Sequence, residues 1–317
     1  MSDEQGLPRT PMVERLDARL RGPGSVARIE ADELAALARE TGLDEPALLI
    51  ACLSWARRWA VAPVSNFEVG AAALADSGAL YLGANIEFRG VPLAQTVHAE
   101  QSAIAHAWSC GETTLRVIAT SAAPCGYCRQ FMLELPEPRP KLVIADLPAL
   151  AGRRSASPLP LGAHGSIELA ELLPWAFGPA DLGRTPQLLR AGPHGLALVE
   201  APRGPLAPPL VALALAAADR SSAPYSGALA GVAVETADGQ RFAGAVAESV
   251  AFNPTLAPMQ AALIAAHHGG GRLEEIERAV LVELEAGAVS QMDAAAAVLA
   301  CVAPRATLRR VAATRSS

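Results

Sequence analysis

The stretches VAPVSNFEVGAAALADSGALYLGANIEF (61–88) and SAPYSGALAGVAVETADGQRFAGAVAES (222–249) lie on one another without a gap, residue n of the first against residue n + 161 of the second. The alignment pairs Pro63 with Pro224, Ser65 with Ser226, Gly70 with Gly231, Gly78 with Gly239, Gly83 with Gly244 and Glu87 with Glu248. Glycines at matching turns constrain the backbone, so the match reads as an internal duplication and not as two unrelated Ala-rich hairpins. In the first copy, alternation over Val69–Leu74, the turn Asp76-Ser77-Gly78 and the run Leu80–Ala84 predict a β-hairpin.

Working outward, apolar residues three and four apart over Ile29–Leu37 predict an N-terminal packing helix. A second helix is expected from Pro46 through Trp55 and Trp59, both read as core residues. Further helices alternate with strands at Val117–Ala119 and Leu142–Ile144, which makes an α/β unit. The chain of 317 residues then divides into an N-terminal helical segment (1–44), a first α/β domain (45–150), a linker (151–209) and a second copy (210–317). The linker is marked by ASPLPLG and EAPRGPLAPP, with a short helix at Ile167–Leu173.

Composition narrows the partners. A net charge of -6, a single lysine (Lys141) and 4% aromatic residues disfavour a polynucleotide, which needs basic side chains for its phosphates and rings for its bases. The longest apolar runs, Leu210–Ala218 and Ala294–Ala303, are half the ~20 residues that span a bilayer. The polar, acidic start MSDEQGLPRT has no apolar signal core, so the cytoplasm is the expected compartment, with a small molecule as ligand.

Two motifs carry chemistry: Thr96-Val97-His98-Ala99-Glu100-Gln101 and Pro124-Cys125-Gly126-Tyr127-Cys128-Arg129-Gln130, each opening a helix. Thiols three apart share one face of a first turn, where free N–H groups favour thiolate. Alone, Cys-x-x-Cys also fits a redox pair or half of a structural zinc site. With His98 upstream, His98, Cys125 and Cys128 form an expected N1S2 zinc set. Helix geometry turns residues two apart to opposite sides, so His98 and Glu100 share a site only if His98 lies at or before the helix start. His106 and Cys110, about 12 and 18 Å farther along, are out of reach as a fourth ligand. An open position marks a catalytic zinc, and Glu100 is the expected proton carrier beside it. A zinc-binding scaffold without catalysis is the rival reading, against which Glu100 and the open position argue. H-x-E followed by P-C-x-x-C is a known signature of zinc deaminases.

With SNFEVGAA, GANIEF, QTVHAEQSAIAHAW, PCGYCRQFMLEL, LLPWAFGP and AFNPTLAP in order, the chain resembles the cytidine deaminase family in its two-domain, homodimeric bacterial form. The resemblance implies a duplicated three-layer α/β/α cytidine-deaminase fold with one zinc per chain. It also implies hydrolysis of cytidine and deoxycytidine to uridine and deoxyuridine plus ammonia, in pyrimidine salvage. By the same resemblance Phe67 packs on the pyrimidine, while Asn85 and Glu87 bind the ribose 3′-hydroxyl. Read without it, Phe67 also fits a core ring, Asn85 a turn residue and Glu87 a solvated strand end. Val64, Asn66 and Tyr127 are mild departures from the family's pattern. Another aminated heterocycle is a rival substrate.

At the same offset, Met259 and Ala261 stand opposite His98 and Glu100, and no Cys-x-x-Cys follows residue 128, so the second copy is expected to bind no zinc. The resemblance implies that this degenerate domain closes the partner's pocket, with Phe177 in a connecting helix, Ala251 and Phe252 as contributors in trans. His267-His268-Gly269-Gly270-Gly271 looks superficially metal-like but reads as a helix C-terminus, where the dipole favours His and a left-handed cap favours Gly. Cys52, Cys110 and Cys301 read as buried apolar thiols.

Overall fold

The computed structural model describes residues 7–145, 166–200 and 208–316. Three helices and a short strand precede the first hairpin. Helix α1 (Pro11–Arg19) starts where the Thr10 hydroxyl accepts the Val13 N–H, and α2 (Ala31–Thr41) stops at left-handed Gly42. Helix α3 (Glu45–Arg57) is capped by Asp44, whose carboxylate accepts the Ala47 N–H at 3.0 Å. Strand β1 (Arg28–Ile29) joins the first sheet, which the sequence did not announce.

That sheet contains β2 (Gly70–Ala75), β3 (Leu80–Ala84), β4 (Leu115–Thr120) and β5 (Lys141–Ile144) in the order β1-β3-β2-β4-β5, with only β4 and β5 parallel. Period-two alternation sorts β2 between two layers. Ala72 and Leu74 pack with Leu48, Leu49 and Trp55 of α3, while Ala71, Ala73 and Ala75 share a core with α4 (Ala99–Ser109) and α5 (Gly126–Met132). Helices therefore cover both faces, as a three-layer α/β/α unit requires. Trp55 and Trp59 are both fully buried.

The second half repeats the plan. After a one-turn helix α6 (Leu169–Leu172) come β6 (Leu196–Leu198), α7 (Pro208–Asp219), β7 (Ala230–Thr236), β8 (Arg241–Ala245) and α8 (Pro258–His268). They are followed by β9 (Ile276–Leu284), α9 (Met292–Val302) and β10 (Thr307–Arg315), and the sheet order is β6-β10-β9-β7-β8. Strand β6 comes from the stretch read as linker and pairs with β10, so part of that stretch belongs to the sheet. ASPLPLG and most of EAPRGPLAPP lie outside the described residues.

Helices α4 and α8 face each other in one continuous apolar core, contributing Ala103, Ile104 and Ala107 from the first and Ala262, Leu263 and Ala266 from the second. The paired glycines serve this packing more than the turns. A Cβ on Gly83 would stand 2.2 Å from Ala103 N, and one on Gly244 would stand 2.1 Å from Ala262 N. Only Gly78 and Gly239 of the six need positive φ, at 87° and 84°.

The helix ends within His267-His268-Gly269-Gly270-Gly271 as read, with a left-handed glycine, and only the dipole role of the two histidines is corrected. Gly269 has φ −87°, so the left-handed residue is Gly270, and both imidazoles are buried. Burial lowers the His267 pKa and holds His268 well below its ordinary value, so neither ring carries charge to the helix end. His267 bonds Trp59 O at 2.7 Å, and the His268 ring lies 5.3 Å from that of His106 on α4. The thiols also differ from expectation. Cys52 is buried and pushed up to about 12, but Cys110, the C-cap of α4, is exposed and Cys301, in the last turn of α9, is half-buried.

Candidate metal centre

The site forms where α4 and α5 begin side by side. His98 is the N-cap of α4 in extended conformation (φ −87°, ψ 154°), which lets it share a site with Glu100 two residues later. The Gln101 Oε1 accepts the His98 N–H at 3.3 Å and fixes that turn. Cys125 is the N-cap of α5, and Cys128 lies within its first turn.

His98, Cys125 and Cys128 each offer one ligand atom, all within 4.8 Å of one another. His98 Nδ1 is 3.4 Å from Cys125 Sγ, and the two sulfurs are 3.7 Å apart. Tetrahedral zinc with bonds of about 2.3 Å to sulfur and 2.0–2.1 Å to nitrogen sets those edges at about 3.6 and 3.8 Å, so the three residues fit the ion. The His98 and Tyr127 rings stack with centroids 5.5 Å apart.

Electrostatics agree with a thiolate site. The Cys128 side chain first, then His98 and the Cys128 N–H, lower Cys125 from 9.0 to about 3 against the opposing effect of burial. Cys128 is held well above its ordinary value by its bond to Cys125 and by burial. The Cys125 contact raises His98. Glu100 is 5% exposed, accepts from the Cys128 thiol at 3.2 Å and is raised by desolvation.

The other sequence-read residues hold the neighbouring loop. Asn85 Nδ2 donates to Phe67 O at 3.0 Å and its Oδ1 accepts the Val69 N–H at 2.9 Å. Glu87 accepts from Val64 N, Ser65 N and the Ser65 hydroxyl. Partial burial opposes ionisation of Glu87, but these hydrogen bonds outweigh it and lower its pKa. Glu248 grips Tyr225 N, Ser226 N and the Ser226 hydroxyl in the same way, so the clamp is present in both copies. Phe67 is 61% exposed and so not a core ring.

The second copy needs one correction of register. Its path from strand to helix is two residues shorter, since β3 ends at Ala84 before Ala99 while β8 ends at Ala245 before Pro258. The bridges Ile86↔Val97 and Ala247↔Leu256 mark the same shift. Ala257, the N-cap of α8, is therefore the counterpart of His98, and fully buried Met259 that of Glu100. Neither offers a metal ligand. Phe177, half-exposed, stands in the loop after α6 and not in a helix, while Ala251 and Phe252 lie on an exposed turn.

Sequence reading missed Glu134, Gln101 and Gln260, which tie the two copies together through hydrogen bonds. The one signal for Glu134 was a carboxylate inside the apolar run Phe131–Leu135.

The sequence profile of the cytidine and deoxycytidylate deaminase zinc-binding region matches residues 44–144 and again 169–296. The second match covers the ligand-free copy, which keeps the fold without the donors. The chain is 41% identical over 296 residues to a cytidine deaminase of Serratia proteamaculans (strain 568), covering 93% of each protein. It is 44% identical over 275 residues to one of Yersinia pestis (strain Pestoides F), covering 86% of this chain and 85% of that one. A solved cytidine deaminase from Mycobacterium tuberculosis aligns at 29% identity over 43% of this chain and 99% of that chain, with a TM-score of 0.34. Similarity of this extent to full-length relatives, running through both copies and through the donor set, means that the chain belongs to the cytidine deaminase family.

Proposed function

We infer that the protein hydrolyses cytidine and deoxycytidine to uridine and deoxyuridine with release of ammonia, a pyrimidine-salvage reaction dependent on one zinc per chain. The observation that carries this reading is the His98, Cys125 and Cys128 donor set with buried Glu100 in contact with it. The relatives, which are cytidine deaminases, supply the substrate.

Zinc held by these three residues supplies the Lewis acidity that makes water a nucleophile near neutral pH. Glu100 accepts one proton of the attacking water and passes it to ring N3 as the bond to C4 forms; it then takes the second proton from the new C4 hydroxyl and delivers it to the amino group, which leaves as ammonia as the C4 carbonyl forms. Its raised pKa suits both directions of transfer. Phe67 packs on the pyrimidine. Asn85 has one amide N–H beyond its bond to Phe67 O, and Glu87 has acceptor sites beyond those its loop uses, so both retain capacity for the ribose 3′-hydroxyl.

The working form is a homodimer in which Phe177, Ala251 and Phe252 of one chain complete the other chain's pocket. In support, Trp175, Phe177 and Phe252 stand exposed in a chain with 4% aromatic residues, where rings ordinarily go to the core. The decisive measurement is ammonia released from cytidine by purified protein. Release that stops with a chelator and returns with zinc is expected, and inactivity of zinc-loaded protein would overturn the reading.

A further inference from the structure

Glu134 follows α5 and is only 2% exposed, so its carboxylate must find partners inside the protein. Both partners lie in the other copy. Oε1 accepts the Val250 N–H at 2.7 Å, and Oε2 accepts the Tyr225 hydroxyl at 2.7 Å. Glu248 joins the two loops to each other by accepting the Tyr225 N–H at 2.9 Å. Gln101, in the first turn of α4, grips the same segment by donating to Pro254 O at 2.9 Å.

The stretch 250–254 is thus pinned at two points of its own chain, by Glu134 just after α5 and by Gln101 in α4, the two helices that carry the donor set. Between the pins stands Phe252, with φ 60° and 68% exposure. A bulky residue in the left-handed region is strained and persists only where its surroundings impose it. The imposed conformation turns the ring outward, where its own chain leaves it mostly uncovered, so the surface it serves lies on another molecule.

We propose that Glu134 is a positioning residue which, with Gln101, braces the Phe252 turn from beneath so that the turn completes the metal site of a second copy of this chain. The inference rests on the dimeric deaminase reading above. In consequence the helices that build one site set the substrate affinity of the other.

Mixed dimers, assembled by co-expression with two affinity tags, separate the chain that owns the working site from the chain that supplies the turn. In the first, one chain carries Glu100→Gln and Glu134→Ala and the other is unchanged, so the only working site receives a loosened turn. A KM for cytidine raised about tenfold, with kcat changed less, is expected. In the second, a chain with Glu134→Ala alone is paired with one carrying Glu100→Gln, and a KM near that of the wild type is expected. Tyr225→Phe in place of Glu134→Ala removes one hydrogen bond and keeps the ring. It carries the test if the alanine variant fails to fold, with about a threefold rise in the first arrangement. Glu134→Gln, which retains an acceptor for Val250 N–H, should restore most of the affinity. A KM that rises in the second arrangement, or stays level in both while fold and zinc content are intact, overturns the brace, as does a monomeric active enzyme. An inactive wild-type dimer overturns the deaminase reading instead.

Discussion

Gln101 and Gln260 hold the same place, the third residue of α4 and of α8, and each bonds to the opposite copy. Gln101 Nε2 donates to Pro254 O at 2.9 Å, and Gln260 Nε2 reaches Gln95 Oε1 at 2.6 Å and Gln95 O at 3.4 Å. The pair is not symmetric in cost. Gln101 Oε1 accepts the His98 N–H, whereas Gln260 Oε1 is buried without a partner. Gln101→Leu should therefore destabilise by about 1–3 kcal/mol, and Gln260→Leu by less because it also removes an unsatisfied acceptor. Chemical denaturation checks this, and equal losses would contradict it.

Replacing Glu100 with Gln removes the proton carrier but leaves the three donors in place. Turnover should fall by about 10²–10⁴-fold or more, with zinc content and melting temperature unchanged. Near-wild-type turnover would sink the assignment. Metal analysis of the parent protein should find one zinc per chain, since Ala257 and Met259 replace His98 and Glu100 in the second copy. A second equivalent that survives dialysis would contradict that account.

Acid should weaken the joint between the copies. Burial lowers His106 from 6.5 to about 4, and its Nδ1 bonds Leu82 O at 3.0 Å. The unfolded chain takes up this proton near pH 6.5 and the folded chain only near pH 4. The neutral ring's contribution is thus whole above about pH 6.5 and is lost progressively as pH falls toward 4. The linked change is about 3 kcal/mol. His106→Asn should flatten the fall of melting temperature over that interval, and an unaltered slope would refute the attribution.

Gly83→Ala and Gly244→Ala each force a Cβ against helix backbone and should each destabilise by about 1–3 kcal/mol. Their effects on metal should diverge. Gly83 lies under α4, which carries His98, so its substitution should weaken zinc retention; Gly244 lies under α8, which carries no donor. Competition with a fluorescent chelator distinguishes the two variants, and equal zinc affinities would refute the distinction.

Much of this was legible in the chain itself. The hairpin of β2 and β3 followed from alternation and the Asp76-Ser77-Gly78 turn, and the placement of His98 before its helix followed from its two-residue spacing to Glu100. Strand β1 was not legible because two residues carry no period. The role of Glu134 was hidden for a different reason. Its partners lie 91 and 116 residues away, and no local pattern encodes a bond across that distance. The register of the second helix slipped because a gapless offset cannot register a loop shortened by two residues.

The continuous core shared by α4 and α8 also sets a timetable for synthesis. Helix α4 leaves the ribosome with Ala103, Ile104 and Ala107 bare on the face that α8 will cover, and α8 ends only at His268. At roughly 5–20 residues per second, the nascent chain waits on the order of ten seconds or more before that face is sealed. During the wait that apolar stripe is presented to the cell. The second copy thus acts as a late-arriving cover for the first, and the α4 face under the donor set is sealed among the last features of the molecule.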